Sequence, residues 1–261
     1  MDARAEGDLW PRALVAGRYQ QRALRGRHFC ANDHRPPMSE PDPSRCARCD
    51  KPTTFCVCDR VTPQRVRTRV VVAQHPREQD RDLGTVPLLR AFLGDRCDVR
   101  VGLSWASFAH FLGEEADAKR WAILYPHSLH KPLTPAQVKE PVVLLDRHGD
   151  PLEPGERLDG FVLLDGTWSQ AKALWWRNPW MLKLSRAVLH PKEPSIYGRL
   201  RREPRREALS TLEAAAEVLV ANGEPEAVRA EMRRVFRTMV QRAREHYKGA
   251  APPEPGEGAS E

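Results

Sequence analysis

The amino-acid sequence predicts an α/β fold: a mainly parallel sheet with helices on both faces, preceded by a small cysteine-rich module. Three observations carry this reading. Short apolar runs bounded by turn residues recur at 70–73, 121–125, 142–145, 161–164 and 187–189, as expected of strands buried on both faces. Helical stretches at 86–93 and 168–177 fall between some of these strands, and a longer one from 210 to about 247, broken at Asn222-Gly223, follows the last. Four cysteines crowd into residues 46–58.

The chain of 261 residues is long enough for one sizeable core and a small appended module. Residues 1–40 combine a short basic helical stretch, 13–24, with a polar, Pro-rich run, and are expected to form a loosely held extension. Residues 41–66 form the cysteine module and 67–248 the main domain. Residues 249–261 are Pro, Gly, Glu and Ser with almost no apolar content, and are expected to be a disordered tail.

The formal net charge is +7, and the excess is mostly arginine, whose planar two-pronged donor face suits phosphate. A polyanionic partner is therefore expected. No run of about 18 apolar residues occurs and mean hydropathy is −0.59, so no membrane-spanning segment is expected. Asp2, Glu6 and Asp8 interrupt the first residues, which lack the apolar core of a secretory signal; a cytoplasmic protein with reduced cysteines is the expectation.

The spacing Cys46-x2-Cys49-x6-Cys56-x-Cys58 puts four soft ligands on two tight turns, which lets thiolates converge on one Zn²⁺. A disulfide pair or redox switch is the alternative reading. Four protein ligands would leave no open position for water or substrate, so such a metal is structural and the chemistry lies elsewhere. Arg45, Arg48 and Lys51 sit beside the thiols in sequence and favour their deprotonation. Cys30 and Cys97 fall outside the spacing and read as inert.

Strand 161–164 runs into Asp165-Gly166-Thr167-Trp168 and then a helix, placing an acid at the carboxyl end of a strand, where ligands bind in open α/β sheets. A helix-capping acid is the alternative. Thr167 can cap the following helix, and Trp168 is either core filler or a platform for a base. Gln74-His75-Pro76 follows the first strand on the same face; His75 is a general acid or base, or a turn residue. Tyr197, Arg199, Arg201, Arg202, Arg205 and Arg206 interleave basic and aromatic character in a way that suits RNA, or else form a solvated face. Ser210-Thr211-Leu212-Glu213 is a capping box, whose helix N-terminus can also receive a carboxylate or phosphate.

Taken in order, the cysteine quartet, Gln74-His75-Pro76-x-Glu78, Leu124-Tyr125-Pro126, Leu163-Leu164-Asp165-Gly166-Thr167-Trp168, and Arg202-Glu203-Pro204 ahead of Leu209-Ser210-Thr211-Leu212-Glu213 form a set that resembles the DTW domain family over about residues 45–220. The resemblance implies a tRNA-uridine aminocarboxypropyltransferase with a fold similar to the SPOUT methyltransferases, whose carboxyl-terminal part forms a trefoil knot. The absence of a G-x-G-x-x-G turn agrees with a non-Rossmann cofactor site. The quartet points to the bacterial-type branch.

The implied reaction uses S-adenosylmethionine and a tRNA, with structural zinc, no membrane and no obligate protein partner. It assigns Asp165, Thr167 and Trp168 to catalysis, Tyr125, Leu164, Ser210 and Thr211 to the cofactor, and His75, Tyr197, Arg199, Arg201 and Arg202 to RNA. Cys46, Cys49, Cys56 and Cys58 hold the metal. A non-catalytic zinc-containing RNA-binding protein, the same transferase class acting on ribosomal RNA, and a methyl transferase are the competing readings.

Overall fold

The computed structural model describes residues 42–79, 81–124, 133–153, 155–200 and 209–248. The stretches expected to be a loose extension and a disordered tail lie outside these residues. Six strands form one sheet: β1 (Arg69–Gln74), β2 (Cys97–Val101), β3 (Trp121–Leu124), β4 (Val142–Leu145), β5 (Gly160–Asp165) and β6 (Ser185–Leu189). The spatial order is β2-β1-β5-β3-β6-β4, and only β4 runs antiparallel, on β6 at one edge.

The period-2 alternation of the strands divides the core between the two faces of the sheet. Val70 and Val72 of β1 and Leu163 of β5 pack with α1 (Val86–Leu93), α4 (Thr211–Ala221) and α5 (Glu226–His246). Val71, Ala73 and Val162 face the other way, onto α2 (Phe108–Leu112), α3 (Trp168–Arg177) and the turn carrying Trp180 and Met181. Apolar residues on both faces explain why β1 and β5 read as continuous hydrophobic runs.

Gly160 is a packing requirement. A Cβ there would lie 2.5 Å from the Trp121 ring and 2.7 Å from the Arg69 carbonyl, so only glycine lets β5 start between β1 and β3.

The cysteine module is continuous with this core. Phe55 and Val57 belong to the same cluster as α5, and the Phe55 ring meets His246 and Tyr247 at its carboxyl end. Thr54 Oγ1 is 2.9 Å from His246 Nδ1, and the Arg242 guanidinium donates to the Cys56 carbonyl.

The helix break expected at Asn222-Gly223 is present and has a physical cause. Gly223 takes φ +88°, and the Asn222 side-chain amide reaches back to bind Leu158 and Thr68, anchoring the α4–α5 turn under the amino end of the sheet. Two elements did not stand out in the sequence, β2 and α2. β2 is a half-exposed edge strand carrying Asp98 and Arg100, and α2 is only five residues long, capped by Ser107.

Candidate active site

The five parallel strands end together at one edge, and the strand order makes a topological switch point there. After β1 and β2 the chain crosses to β3, and β5 later enters between β1 and β3, so Asp165 emerges at the switch point where such sheets bind ligands.

The register pairs Gln74 with Asp165, and the Gln74 amide donates to Asp165 Oδ2 at 2.9 Å. From the other side, the Thr211 hydroxyl donates to Asp165 Oδ1 at 2.5 Å. The carboxylate is therefore fixed by one donor from a strand end and one from a helix start. Each oxygen keeps further accepting capacity toward the edge.

The turn after Asp165 is built for close approach. A Cβ on Gly166 would lie 2.9 Å from Gln170 Cβ and 3.5 Å from His75 Cβ, so the glycine brings the end of β1 and the start of α3 together. Thr167 and Gln170 form a reciprocal capping box, as the sequence led us to expect of Thr167. Trp168 opens α3 half-exposed, with the Lys172 ammonium 5.9 Å from its ring centre. Leu164 is partly buried and packs with the α3 face of the core.

His75 Nδ1 accepts the backbone N–H of Arg77 at 3.2 Å and caps the turn Pro76–Glu78. Partial burial, with Arg77 and Arg177 nearby, holds its imidazole below the usual histidine range. A neutral ring whose Nδ1 accepts presents Nε2–H as a donor.

At the start of α4, Ser210 and Glu213 form the expected capping box. The Glu213 carboxylate is buried and accepts from the Ser195 hydroxyl (2.7 Å), the Ile196 N–H (2.9 Å) and the Ser210 N–H and hydroxyl (3.0 and 2.8 Å). Ser210 is thus spent on the cap, and Thr211 is the α4 side chain that reaches the edge.

Tyr197 is a core residue. It is 1% exposed, its ring stands edge-on to Phe236, and its hydroxyl donates to the Leu83 carbonyl. No ring face is open to a base. Tyr125, Arg201 and Arg202 lie outside the described residues, as does the side chain of Arg199.

The four cysteine sulfurs lie within 4.8 Å of one another, and Cys49 Sγ is 3.7 Å from Cys56 Sγ. Metal–sulfur bonds of about 2.3 Å in a tetrahedron place sulfurs about 3.8 Å apart, so the set fits one Zn²⁺. None of the described cysteines is in a disulfide. Burial opposes ionisation of Cys46, yet backbone N–H groups of Arg48 and Cys49 and the thiols of Cys56 and Cys49 bring it down to about 7. Burial pushes Cys56 up to about 11 and Cys58 higher still, with the neighbouring thiols adding to both. Thiols crowded in this way need a cation to ionise together.

The basic neighbours of the thiols also tie the module to the rest of the chain. Arg45 pairs with Asp50 and Asp82, and Arg48 donates to the Cys58 carbonyl. Lys51 is buried, donating to the carbonyls of Asp82 (2.7 Å) and Gly84, and burial lowers its ammonium to about 8 against the attraction of Cys49 and Asp82. Cys97 is a buried core thiol that burial pushes up to about 12, in keeping with an inert role.

The DTW domain family matches residues 43–244, which contain both the thiol cluster and the Asp165 edge. The chain belongs to the DTW domain family. It is 33% identical over 185 residues to a Mus musculus protein named tRNA-uridine aminocarboxypropyltransferase 2, covering 67% of this chain and 55% of the relative. A Macaca fascicularis protein of the same name is 32% identical over 185 residues, with the same coverage. A Drosophila melanogaster protein of that name is 30% identical over 192 residues, 70% of this chain and 68% of the relative. This DTW chain spans about half the length of the two mammalian relatives. No solved structure matches it significantly.

Sequence reasoning did not assign Gln74 and Glu213 to the site, although both stood inside quoted motifs. Glu213 reads as a local cap, and its hold on Ser195 and Ile196, 18 and 17 positions away, has no local signal. His190, just past β6 at the same edge, has a buried Nε2 without a hydrogen-bond partner among the described residues.

Glu213→Ala should lower stability by about 2–4 kcal/mol, because several buried donors lose their acceptor together. Chemical denaturation measures this, and an unchanged midpoint would show that the 195–196 loop is held by something else.

Proposed function

We propose that this DTW chain transfers the 3-amino-3-carboxypropyl group of S-adenosylmethionine to N3 of a uridine in a tRNA loop, releasing methylthioadenosine. The observation that carries the proposal is the Asp165 carboxylate, fixed between Gln74 and Thr211 at the switch point of the sheet and inside the motif that marks the family. The relatives' shared name supplies the substrate and the group transferred.

In this reading the uridine N3 attacks the methylene carbon attached to sulfur in the aminocarboxypropyl arm. The N3–C bond forms as the C–S bond breaks, and the electron pair leaves on the sulfur of methylthioadenosine. The sulfonium is already a good leaving group, so the protein contributes positioning and a place for the imide proton. Asp165 accepts the N3–H and takes its proton. Thr167 holds the turn, and Trp168 offers a half-exposed face for the splayed base.

Thr211, Leu164 and Tyr125 are assigned to the S-adenosylmethionine side of the cleft. The RNA side is assigned to His75, through its Nε2, and to Arg199, Arg201 and Arg202. The fold is proposed to be SPOUT-like with a carboxyl-terminal knot, and the location cytoplasmic, in keeping with reduced cysteines. Among the described residues no helix is long and apolar enough to cross a membrane.

The thiol cluster is proposed to hold structural Zn²⁺ through Cys46, Cys49, Cys56 and Cys58. Bound there, zinc supplies the positive charge that lets four crowded thiols ionise, and it locks the module that carries Lys51.

Two outcomes test these assignments. Asp165→Asn, with unchanged melting, should lower methylthioadenosine release in the presence of unmodified tRNA by about 10²-fold or more; undiminished release would remove Asp165 from the chemistry. Cys56→Ser should lose bound zinc by elemental analysis and melt lower. Full zinc content with unchanged melting would refute the structural site.

A further inference from the structure

At the amino edge of the sheet, opposite Asp165, lies a cavity of about 360 Å³. Five arginines line it: Arg67, Arg69, Arg96, Arg120 and Arg157. They come from the segment leading into β1 and its first residue, the turn before β2, the turn before β3 and the segment before β5, so the parallel sheet gathers them as it gathers its strand starts.

The floor is rigid. Buried Glu224 accepts the N–H groups of Arg67 and Thr68 and the Thr68 hydroxyl through Oε1, and Asn222 holds Leu158 and Thr68. These groups fix the backbone on which Arg67 and Arg157 stand. The Arg157 guanidinium lies over Gly223, close enough that a Cβ there would fall 2.8 Å from it.

Two of the guanidinium groups are already neutralised: Arg69 pairs with Asp98 and Glu114, and Arg120 with Asp159. Among the described residues Arg67 and Arg96 form no close ion pair, Arg157 is attracted to the Glu224 carboxylate without a close pair, and all three are exposed. Apart from Asp159 and Glu224, no carboxylate lines the cavity, and Leu158 is its one apolar side chain. Planar guanidinium groups lining a polar hollow, most of them without a close carboxylate partner there, suit phosphate oxygens and offer little to an apolar ligand.

We propose that this cavity binds backbone phosphates of the RNA substrate at a point outside the modified loop, as a second anchor. The inference rests on the RNA reading above. β5 separates the two edges by six residues, about 20 Å at the rise of a strand. A loop inserted at the Asp165 edge leaves the rest of a large RNA to lie along the domain, and the arginine cavity is the polyanion site on the far edge of the sheet. It also uses arginines that the active-site reading leaves without a role.

The test compares the full chain with an Arg67→Ala/Arg96→Ala/Arg157→Ala variant in tRNA binding across a salt series. A short loop oligonucleotide and inorganic pyrophosphate serve as further probes. In the alanine variant tRNA affinity should fall by about 10-fold or more and the slope of log affinity against log salt should flatten by about two, since each lost phosphate contact removes about 0.7–0.9. Affinity for the loop oligonucleotide and kcat at saturating tRNA should stay unchanged, with KM raised.

An Arg67→Lys/Arg96→Lys/Arg157→Lys variant should retain most of the slope. The exposed single change Arg96→Glu keeps the test available if the triple variant melts early, and should weaken tRNA binding in the same direction. An unchanged slope and affinity in the alanine and Glu variants would overturn the proposal. So would arginine-dependent pyrophosphate binding with tRNA binding unaffected, which would make the cavity a small-anion site. Wild-type transfer is read separately: absent transfer with an arginine-dependent salt slope would sink the transferase reading alone, and normal transfer with an unaltered slope would sink the anchor alone.

Discussion

The Asp165 carboxylate is the point at which three separate parts of the chain meet. A carboxylate stopped at the end of a central strand must be held by donors that its own strand cannot supply, since the β5 ladder uses only backbone groups. The parallel register brings Gln74 of β1 to one oxygen, and α4 brings Thr211 to the other. Several other features serve this meeting. Gly160 lets β5 enter between its neighbours, Gly166 lets α3 start beside His75, and the capping box fixes where α4 begins.

The start of α4 is in turn tied to the thiol cluster. Lys51, buried under the cysteine module, holds the carbonyls of Asp82 and Gly84; the next residue, Thr85, accepts the Leu212 N–H one position after Thr211. Tyr197 closes the same knot of contacts from the other side through Leu83, and Glu213 binds the Ser195–Ile196 backbone that leads to it. The cysteine module is therefore a brace built into the main core, which explains why Phe55 and Val57 share a hydrophobic cluster with α5.

Much of this was legible in sequence because it is local. The strands buried on both faces announce themselves as apolar runs, α1 and α3 fall where the sequence places them, the capping box of α4 is spelled out in four residues, and Thr167 reads as the cap of α3. What escaped was what depends on distant parts of the chain. β2 presents polar residues at a sheet edge, and its pairing with β1 carries no local signature. Tyr197 stands in an arginine-rich run that reads as an RNA contact, yet the distant Leu83 carbonyl and Phe236 draw it into the core. The arginines of the amino-edge cavity are scattered over some ninety positions and become a cluster only when the strand starts align.

The central claim, that the Asp165 edge directs attack on the aminocarboxypropyl arm, is tested most directly by following the atoms. The full chain is incubated with unmodified tRNA and S-adenosylmethionine carrying carbon-13 either in that arm or in the methyl group, and the digested nucleosides are weighed. The arm label should appear on a uridine while the methyl label leaves with methylthioadenosine. Methyl label on the RNA, or no label on any nucleoside, would contradict it.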